Sequence, residues 1–124
     1  WREPHRLTIR GDGQEGYLAS LKRRAAATGR ADLVGFEPSV KPDDVMPIAA
    51  RSADLGVHFT PLDSNQRHFS LPNKLFEYIG SGLAVAVSPG ADLTRVVEGY
   101  GVGVVSSDAG VAAVATAING LTPQ

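Results

Sequence analysis

The chain of 124 residues is 43% hydrophobic and 20% charged, a composition that predicts one domain with a buried core. Twelve basic and thirteen acidic residues leave a net charge of -1, which excludes the basic surface expected of a nucleic-acid-binding protein. The absence of cysteine excludes disulfides, thiolate metal sites and a cysteine nucleophile. We therefore expect a single domain over residues 1–124 that has no nucleic-acid partner.

Five short apolar segments have the length of buried strands, and each is bounded by Gly, Pro, Asp or Ser. Stretches with helical spacing lie between them, so strand and helix alternate along the chain. This order is typical of a parallel sheet covered by helices on both faces. It predicts a Rossmann-like, three-layer α/β/α fold with a parallel sheet of about five to six strands. The predicted strands are Leu7–Arg10, Leu33–Phe36, Leu55–Phe59, Leu83–Val87 and Val102–Val105.

The first predicted helix carries Tyr17, Leu18 and Leu21 on one face, while Lys22–Arg24 form a solvated basic face. The other helices are expected to open at Asp43-Asp44 and at Pro72, and to lie within Ala91–Glu98 and Gly110–Leu121. We interpret the paired aspartates as charge at a helix N-terminus and not as an acid–base pair.

One connection is much longer than the others. Residues Thr60–Leu71 follow the third predicted strand, are mostly polar and have no periodicity. In open α/β sheets ligands bind beyond the carboxyl ends of the strands, so this loop is where a ligand is expected first. The histidines His5, His58 and His68 match no metal-ligand spacing, and we expect no metal site.

A glycine-rich turn offers one candidate site. The segment Gly11–Gly16 follows a predicted strand, opens a predicted helix and matches G-x-G-x-x-G. Glu37 lies about 20 residues further on, where a dinucleotide-binding domain holds a ribose hydroxyl. This pattern keeps open an NAD-type dinucleotide-binding domain of an oxidoreductase. The other interpretation is a plain strand-to-helix turn, in which Asp12 and Glu15 add negative charge near the phosphate position.

A second candidate site is the stretch Ser70–Val85, in which the polar loop leads into the helix that starts near Pro72. The first turn of that helix offers unpaired N–H groups to an anion, with Lys74 close by. The Glu77 carboxylate can accept hydrogen bonds from two adjacent ribose hydroxyls. These features suit a nucleotide diphosphate. A purely structural helix, in which Glu77 only compensates the helix dipole, is the alternative that the residues alone leave open.

The stretch SLPNKLFEYIGSGLAVAVS resembles the donor-binding signature of retaining GT-B-fold glycosyltransferases, the family 4-like enzymes of glycosyl transferases group 1. The resemblance implies the carboxyl-terminal half of a GT-B architecture, which binds a nucleotide-diphospho-sugar for transfer of the sugar to an acceptor. An amino-terminal acceptor domain would belong to the same enzyme, and we expect the isolated chain to be inactive. Similar elements recur at Gly11–Gly13, Val34–Phe36 with Val40, Ser52–Val57 and Tyr100–Gly103.

The resemblance also implies roles for individual residues. Glu77 matches the second Glu of the family's E-x7-E motif, which binds the donor ribose. No catalytic residue and no metal are implied in this domain, since helix N–H groups and cations stabilise the departing diphosphate. The other implied donor contacts are Pro72, Asn73 and Lys74 at the phosphate, the backbone of Ser70 and Leu71 at the sugar and diphosphate, and the backbone around Phe36, Pro38 and Val40 at the nucleobase.

Two features depart from the family pattern. Phe69 stands at the position of the first Glu of E-x7-E, and a phenyl ring cannot accept hydrogen bonds from sugar hydroxyls. Asp63, Asn65 and His68 of the same loop are the candidate sugar contacts in its place. The family's Arg and Lys pair that clamps the diphosphate follows a strand that would precede Trp1.

We therefore expect a metal-independent glycosyltransferase domain without a cofactor, whose partners are a nucleotide sugar and an acceptor domain. An NAD-type domain and a non-enzymatic Rossmann-like module stay open as alternatives. No apolar run reaches the roughly 18 to 20 residues of a membrane span, and the first residues do not resemble a signal peptide. We expect a cytoplasmic protein, with membrane association of the parent enzyme left open. The first residue is Trp and not Met, so we expect a piece of a longer protein.

Overall fold

The computed structural model describes residues 5–61, 63 and 69–121, which contain five strands, five α-helices and one short 3-10 helix. The chain divides into two compact units, Trp1–Pro42 (unit 1) and Asp43–Gln124 (unit 2). Each unit has its own parallel sheet, of two and three strands respectively.

Unit 1 consists of two parallel strands joined through a helix. Leu7 pairs with Val34 and Arg10 pairs with Glu37, so the two strands end at the same level. Parallel strands need a crossover connection, which the helix supplies. The elements of unit 1 are β1 (Leu7–Arg10), α1 (Glu15–Ala27), the 3-10 helix Ala31–Leu33 and β2 (Val34–Glu37).

Unit 2 is a three-stranded parallel sheet with the order β3-β4-β5 and with a helix between successive strands. Helix α3 contacts β3 and β4, α4 contacts β5, and α5 contacts β4 and β5. The elements are α2 (Pro42–Ser52), β3 (Leu55–His58), α3 (Asn73–Gly80), β4 (Ala84–Val87), α4 (Ala91–Tyr100), β5 (Gly103–Val105) and α5 (Val111–Asn119).

The core of unit 2 is centred on β4. Val85 and Val87 of this strand pack with Leu75 of α3 and with Leu93 and Val97 of α4, and all five side chains are buried. An uninterrupted apolar strand is what a central parallel strand requires, since both of its faces are covered. Burial of each Leu or Val side chain contributes about 1.5–3 kcal/mol to the stability of the fold. These contacts attach α3 and α4 to the sheet.

The predicted α/β class and the parallel pairing are confirmed. All five strands lie within one residue of their predicted ends. Instead of the predicted sheet of about five to six strands, the described strands form one sheet of two and one of three. Apolar spacing indicates that a strand is buried, but it does not specify which backbone edge pairs with which, and this is why the division was not predicted.

Candidate functional site

Helix α3 begins at Asn73, directly after Pro72 in an extended conformation (φ -71, ψ 146). The Leu75 N–H donates to the Pro72 carbonyl at 3.0 Å and closes the first turn. Other N–H groups of a first helical turn have no partner inside the helix, and the dipole adds partial positive charge there. Asn73 and Lys74 are exposed at this end, so an anion can approach the start of the helix.

The other end of α3 is closed by a glycine in the left-handed region. Gly82 has φ +78, and the following Leu83 N–H donates to the Tyr78 carbonyl at 3.1 Å. This arrangement satisfies carbonyls that would otherwise lack partners at a helix end. The Ser81 hydroxyl donates to the backbone carbonyl of Glu77 at 2.6 Å, so the segment that carries the Glu77 side chain is held from its C-terminal side.

A close contact fixes α3 on the sheet where Tyr78 lies over Gly56 of β3. A Cβ atom at Gly56 would lie 2.2 Å from Tyr78 Cγ and 2.7 Å from Tyr78 Cβ, so the approach requires glycine. Burial raises the pKa of Tyr78, and the negative charge of Glu77 raises it further. The contact sets the distance between α3 and β3 and thereby positions the adjacent Glu77.

Glu77 has a carboxylate oxygen with unused hydrogen-bonding capacity. Its Oε2 is buried and, within the described part of the chain, has no hydrogen-bond partner. The Lys74 Nζ lies 3.8 Å from this oxygen, which is an ion-pair distance but too long for a hydrogen bond. The pair is partly solvated, since the side chains of Lys74 and Glu77 are 61% and 36% exposed. Buried polar atoms in proteins nearly always have partners, so this oxygen has hydrogen-bonding capacity that no described residue uses.

His58 ends β3 and interacts electrostatically with the start of α3. Burial lowers the pKa of His58, and the positive charge of Lys74 lowers it further. A lowered pKa favours the neutral imidazole, which has one donor and one acceptor nitrogen. The sequence pattern predicts that His58 lies in a strand, but it does not identify this residue as a neighbour of the site. Its place at the carboxyl end of a parallel strand was the signal that could have revealed it.

Two buried serines organise the carboxyl edge of the same sheet. The Ser88 N–H donates to the His58 carbonyl at 3.1 Å, and the Ser88 hydroxyl oxygen accepts a hydrogen bond from the Thr60 N–H at 3.1 Å. The Ser106 N–H donates to the Val87 carbonyl at 2.9 Å. Thr60 begins the long polar connection, so Ser88 attaches the start of that connection to the end of β4. Neither serine was predicted to take part.

The predicted contacts around the long connection are placed as follows. Ser70 and Leu71 are exposed and lead directly into Pro72 and α3, so these residues lie together with Asn73, Lys74 and Glu77. Asp63 and Phe69 are exposed, Phe69 by 58%. Asn65 and His68 lie outside the described residues.

The residues predicted to face a nucleobase belong to unit 1. Phe36 is partly buried in β2, and the Lys22 Nζ lies 5.8 Å from the centre of its ring, within the range of a cation–π contact. Pro38 is exposed and Val40 is partly buried. These three residues thus form the end of β2 and the segment that follows it.

The glycine-rich turn lacks one feature of a dinucleotide-binding turn. In such turns the third glycine lets the helix pack closely on the strand. Gly16 lies inside α1, and among the described atoms a Cβ placed there would meet nothing within 4 Å. Both carboxylate oxygens of Asp12, at the same turn, are bound to Ser39. The geometry of this turn is that of a connection between a strand and a helix.

Across residues 5–61, 63 and 69–121, we find no helix that is both long and apolar enough to cross a membrane. Over the same ranges, no three His, Cys, Asp or Glu side chains are grouped so that they could hold a metal ion. Comparisons of the chain with protein-family models, with curated proteins and with solved structures found no match.

Proposed function

We propose that this chain is the donor-binding domain of a retaining GT-B-fold glycosyltransferase that binds a nucleotide-diphospho-sugar. The observation that carries the proposal is the Glu77 Oε2 atom, which is buried and without a hydrogen-bond partner among the described residues. It lies one helical turn from the exposed start of α3. A carboxylate acceptor next to an anion-binding helix start matches the ribose and the diphosphate of one nucleotide.

The ribose is the best match to Glu77. Two neighbouring hydroxyl groups can donate to one carboxylate, and charge-assisted hydrogen bonds of this kind contribute about 1.5–3 kcal/mol each. Such bonds would offset the desolvation of Oε2, which the 3.8 Å ion pair with Lys74 leaves without a hydrogen bond. Glu77 therefore acts in this proposal as a binding residue for the sugar of the nucleoside.

The diphosphate would be held by the start of α3. The N–H groups of the first turn and the Lys74 ammonium supply positive charge where negative charge develops as the diphosphate departs. The Lys74 side chain is 61% exposed and can turn from Glu77 toward a phosphate. Pro72 and Asn73 form the helix start, and the backbone of Ser70 and Leu71 leads into it.

The remaining assignments follow the sequence resemblance. The resemblance implies that the backbone around Phe36, Pro38 and Val40 contacts the nucleobase and that Asp63, Asn65 or His68 contacts the sugar. The fold is then a Rossmann-like three-layer domain, one half of a GT-B architecture. The acceptor binds to the amino-terminal domain of the same enzyme, and the present chain binds donor without catalysing transfer.

The test is a titration of the chain with UDP, GDP, ADP and NAD, monitored by backbone amide NMR. Ligand concentrations extend into the millimolar range, so that even a Kd of 1 mM is detected, which corresponds to a binding free energy of about -4 kcal/mol. The proposal expects a nucleoside diphosphate to shift amides of Asn73–Glu77 and expects Glu77→Ala to weaken this binding about tenfold or more. Glu98→Ala, which removes an exposed glutamate from α4, is the matched control and should bind as the wild type does.

Two results would overturn the proposal. NAD binding with shifts at Gly11–Gly16, unaffected by Glu77→Ala, would favour the oxidoreductase domain. Absence of shifts with all four ligands would favour a non-enzymatic module.

A further inference from the structure

His58 lies on the face of the unit 2 sheet that α3 covers. Gly56 of β3 faces α3, since a Cβ atom there would lie 2.2 Å from Tyr78 Cγ. Side chains two positions apart in a strand point to the same face, so the His58 imidazole lies on the α3 side as well. The strand register agrees, because His58 pairs with Val87, which packs in the core with Leu75 of α3.

The spacing of strand and helix places His58 beneath the first turn of α3. The helix follows the carboxyl end of β3 and runs back toward the amino edge of the sheet, as the connection between two parallel strands requires. From Tyr78 back to Lys74 the helix covers about 6 Å toward the carboxyl edge. From Gly56 to His58 the strand covers about 6.6 Å in the same direction. This geometry brings Lys74 and His58 together, as it brings Tyr78 onto Gly56.

The charge environment of His58 agrees with this placement. Burial lowers the pKa of His58, and the positive charge of Lys74 lowers it further. Strand β3 packs against α3 and β4. The other titratable groups of α3 are Glu77 and Tyr78, and β4 has none. His58 is thus a half-buried imidazole beside a cation, where an added anion favours the protonated form.

We propose that His58 is a further anion-binding residue of the donor site, which donates from its imidazole to the phosphate at the start of α3 and takes up a proton from solvent as that phosphate binds. The inference rests on the proposed function, which assigns the diphosphate to this helix start. A protonated imidazole has two N–H donors. Its charge-assisted hydrogen bond adds to the contacts of Lys74 and of the helix N–H groups.

Proton uptake makes the affinity for the donor depend on pH. A bound phosphate raises the pKa of His58 above its value in the free chain, so the complex holds more protons than the free chain between these two pKa values. Affinity therefore increases as the pH falls through the pKa of the complex, and it levels off below the pKa of the free chain. Glutamine keeps a neutral donor at this position but cannot take up the proton, so His58→Gln lacks the increase.

The experiment measures Kd by calorimetry from about pH 8 to about pH 5, a range that spans the ordinary pKa of histidine. The full chain and His58→Gln are compared with whichever of UDP, GDP and ADP the wild type binds most tightly. The ratio of the variant Kd to the wild-type Kd cancels the titration of the ligand's own phosphates. We expect this ratio to be about one at the upper pH and to rise about tenfold at the lower pH. His5→Gln, which removes a different histidine, is the matched control and should bind as the wild type does at every pH.

NMR of the His58 imidazole gives a second measurement, which the wild type alone can supply. The pKa of His58 should rise when the nucleotide is added. It should also rise in ligand-free Lys74→Gln, because a neighbouring positive charge is removed.

Three results would overturn the inference while the proposed function stands. These are a Kd ratio that does not change with pH, a His58 pKa that the nucleotide does not raise, and loss of the pH dependence in His5→Gln as well. An unchanged His58 pKa in Lys74→Gln would contradict the placement of His58 beneath α3 and overturn the inference on that ground. A wild type that binds none of the three nucleotides would instead overturn the proposed function, and the inference with it.

Discussion

Replacement of Glu77 by glutamine should separate stability from binding, because the carboxylate contributes little to the fold. The only charge partner of Glu77 within the described residues is Lys74, at 3.8 Å and 61% exposed. An exposed pair three residues apart on a helix is worth about 0.2–0.5 kcal/mol, and glutamate and glutamine have similar helix propensities. The substitution also removes the cost of burying the charged Oε2 atom, and this effect raises the free energy of unfolding whereas loss of the ion pair lowers it.

We therefore expect Glu77→Gln to change the free energy of unfolding by less than about 1 kcal/mol, while binding of a nucleoside diphosphate falls about tenfold or more. Urea denaturation gives the first quantity, and calorimetric titration gives the second. Glu98→Gln, at an exposed position of α4, should alter neither. A loss of about 2 kcal/mol or more in Glu77→Gln would instead show that the carboxylate accepts a structural hydrogen bond in the folded chain.

Three further predictions concern the elements that hold the site. Gly56→Ala should destabilise the chain by about 1–3 kcal/mol, because its Cβ would lie 2.2 Å from Tyr78, whereas Gly99→Ala, in open space on α4, should be neutral or stabilising in the same urea assay. Equal effects of the two substitutions would contradict this. Leu75→Ala should cost about 2–5 kcal/mol, since Leu75 is fully buried in the core, and a cost below about 1 kcal/mol would contradict the packing described. His58 has a lowered pKa in the folded chain, so the unfolded chain binds its proton more readily, and stability should fall as the pH drops from 6.5 through the folded pKa. His58→Gln should flatten that part of the pH profile, and an unchanged profile would contradict the assignment.

The sequence predicted those elements that depend on local pattern. Apolar segments marked all five strands because a strand covered on both faces needs an unbroken apolar run, as β4 shows at Ala84–Val87. Pro72 marked the start of α3 because proline lacks the N–H that a first turn leaves unused, although it precedes the helix by one position.

Contacts between residues distant in the chain were not predicted. Local spacing does not indicate which strands pair, so it did not predict the two separate sheets. It also does not relate Tyr78 to Gly56 or Asp12 to Ser39, although these residues are in contact. The same holds for His58, whose charge environment depends on a lysine 16 positions away in the sequence. Within the candidate site, the sequence motif predicted the segment that forms α3. The contact of Tyr78 with Gly56 and the interaction of His58 with Lys74 depend on packing and were not predicted.

The most direct test of the account compares a nucleoside diphosphate with its 2′-deoxy analogue, using the base that the wild type binds most tightly. If Glu77 binds the ribose, the wild type should prefer the ribonucleotide about tenfold or more, since one charge-assisted hydrogen bond is worth at least about 1.5 kcal/mol. The same ratio should fall to about one in Glu77→Ala, because the acceptor of the hydroxyl is gone. An equal ratio in both proteins would contradict the assignment of Glu77 to the donor ribose.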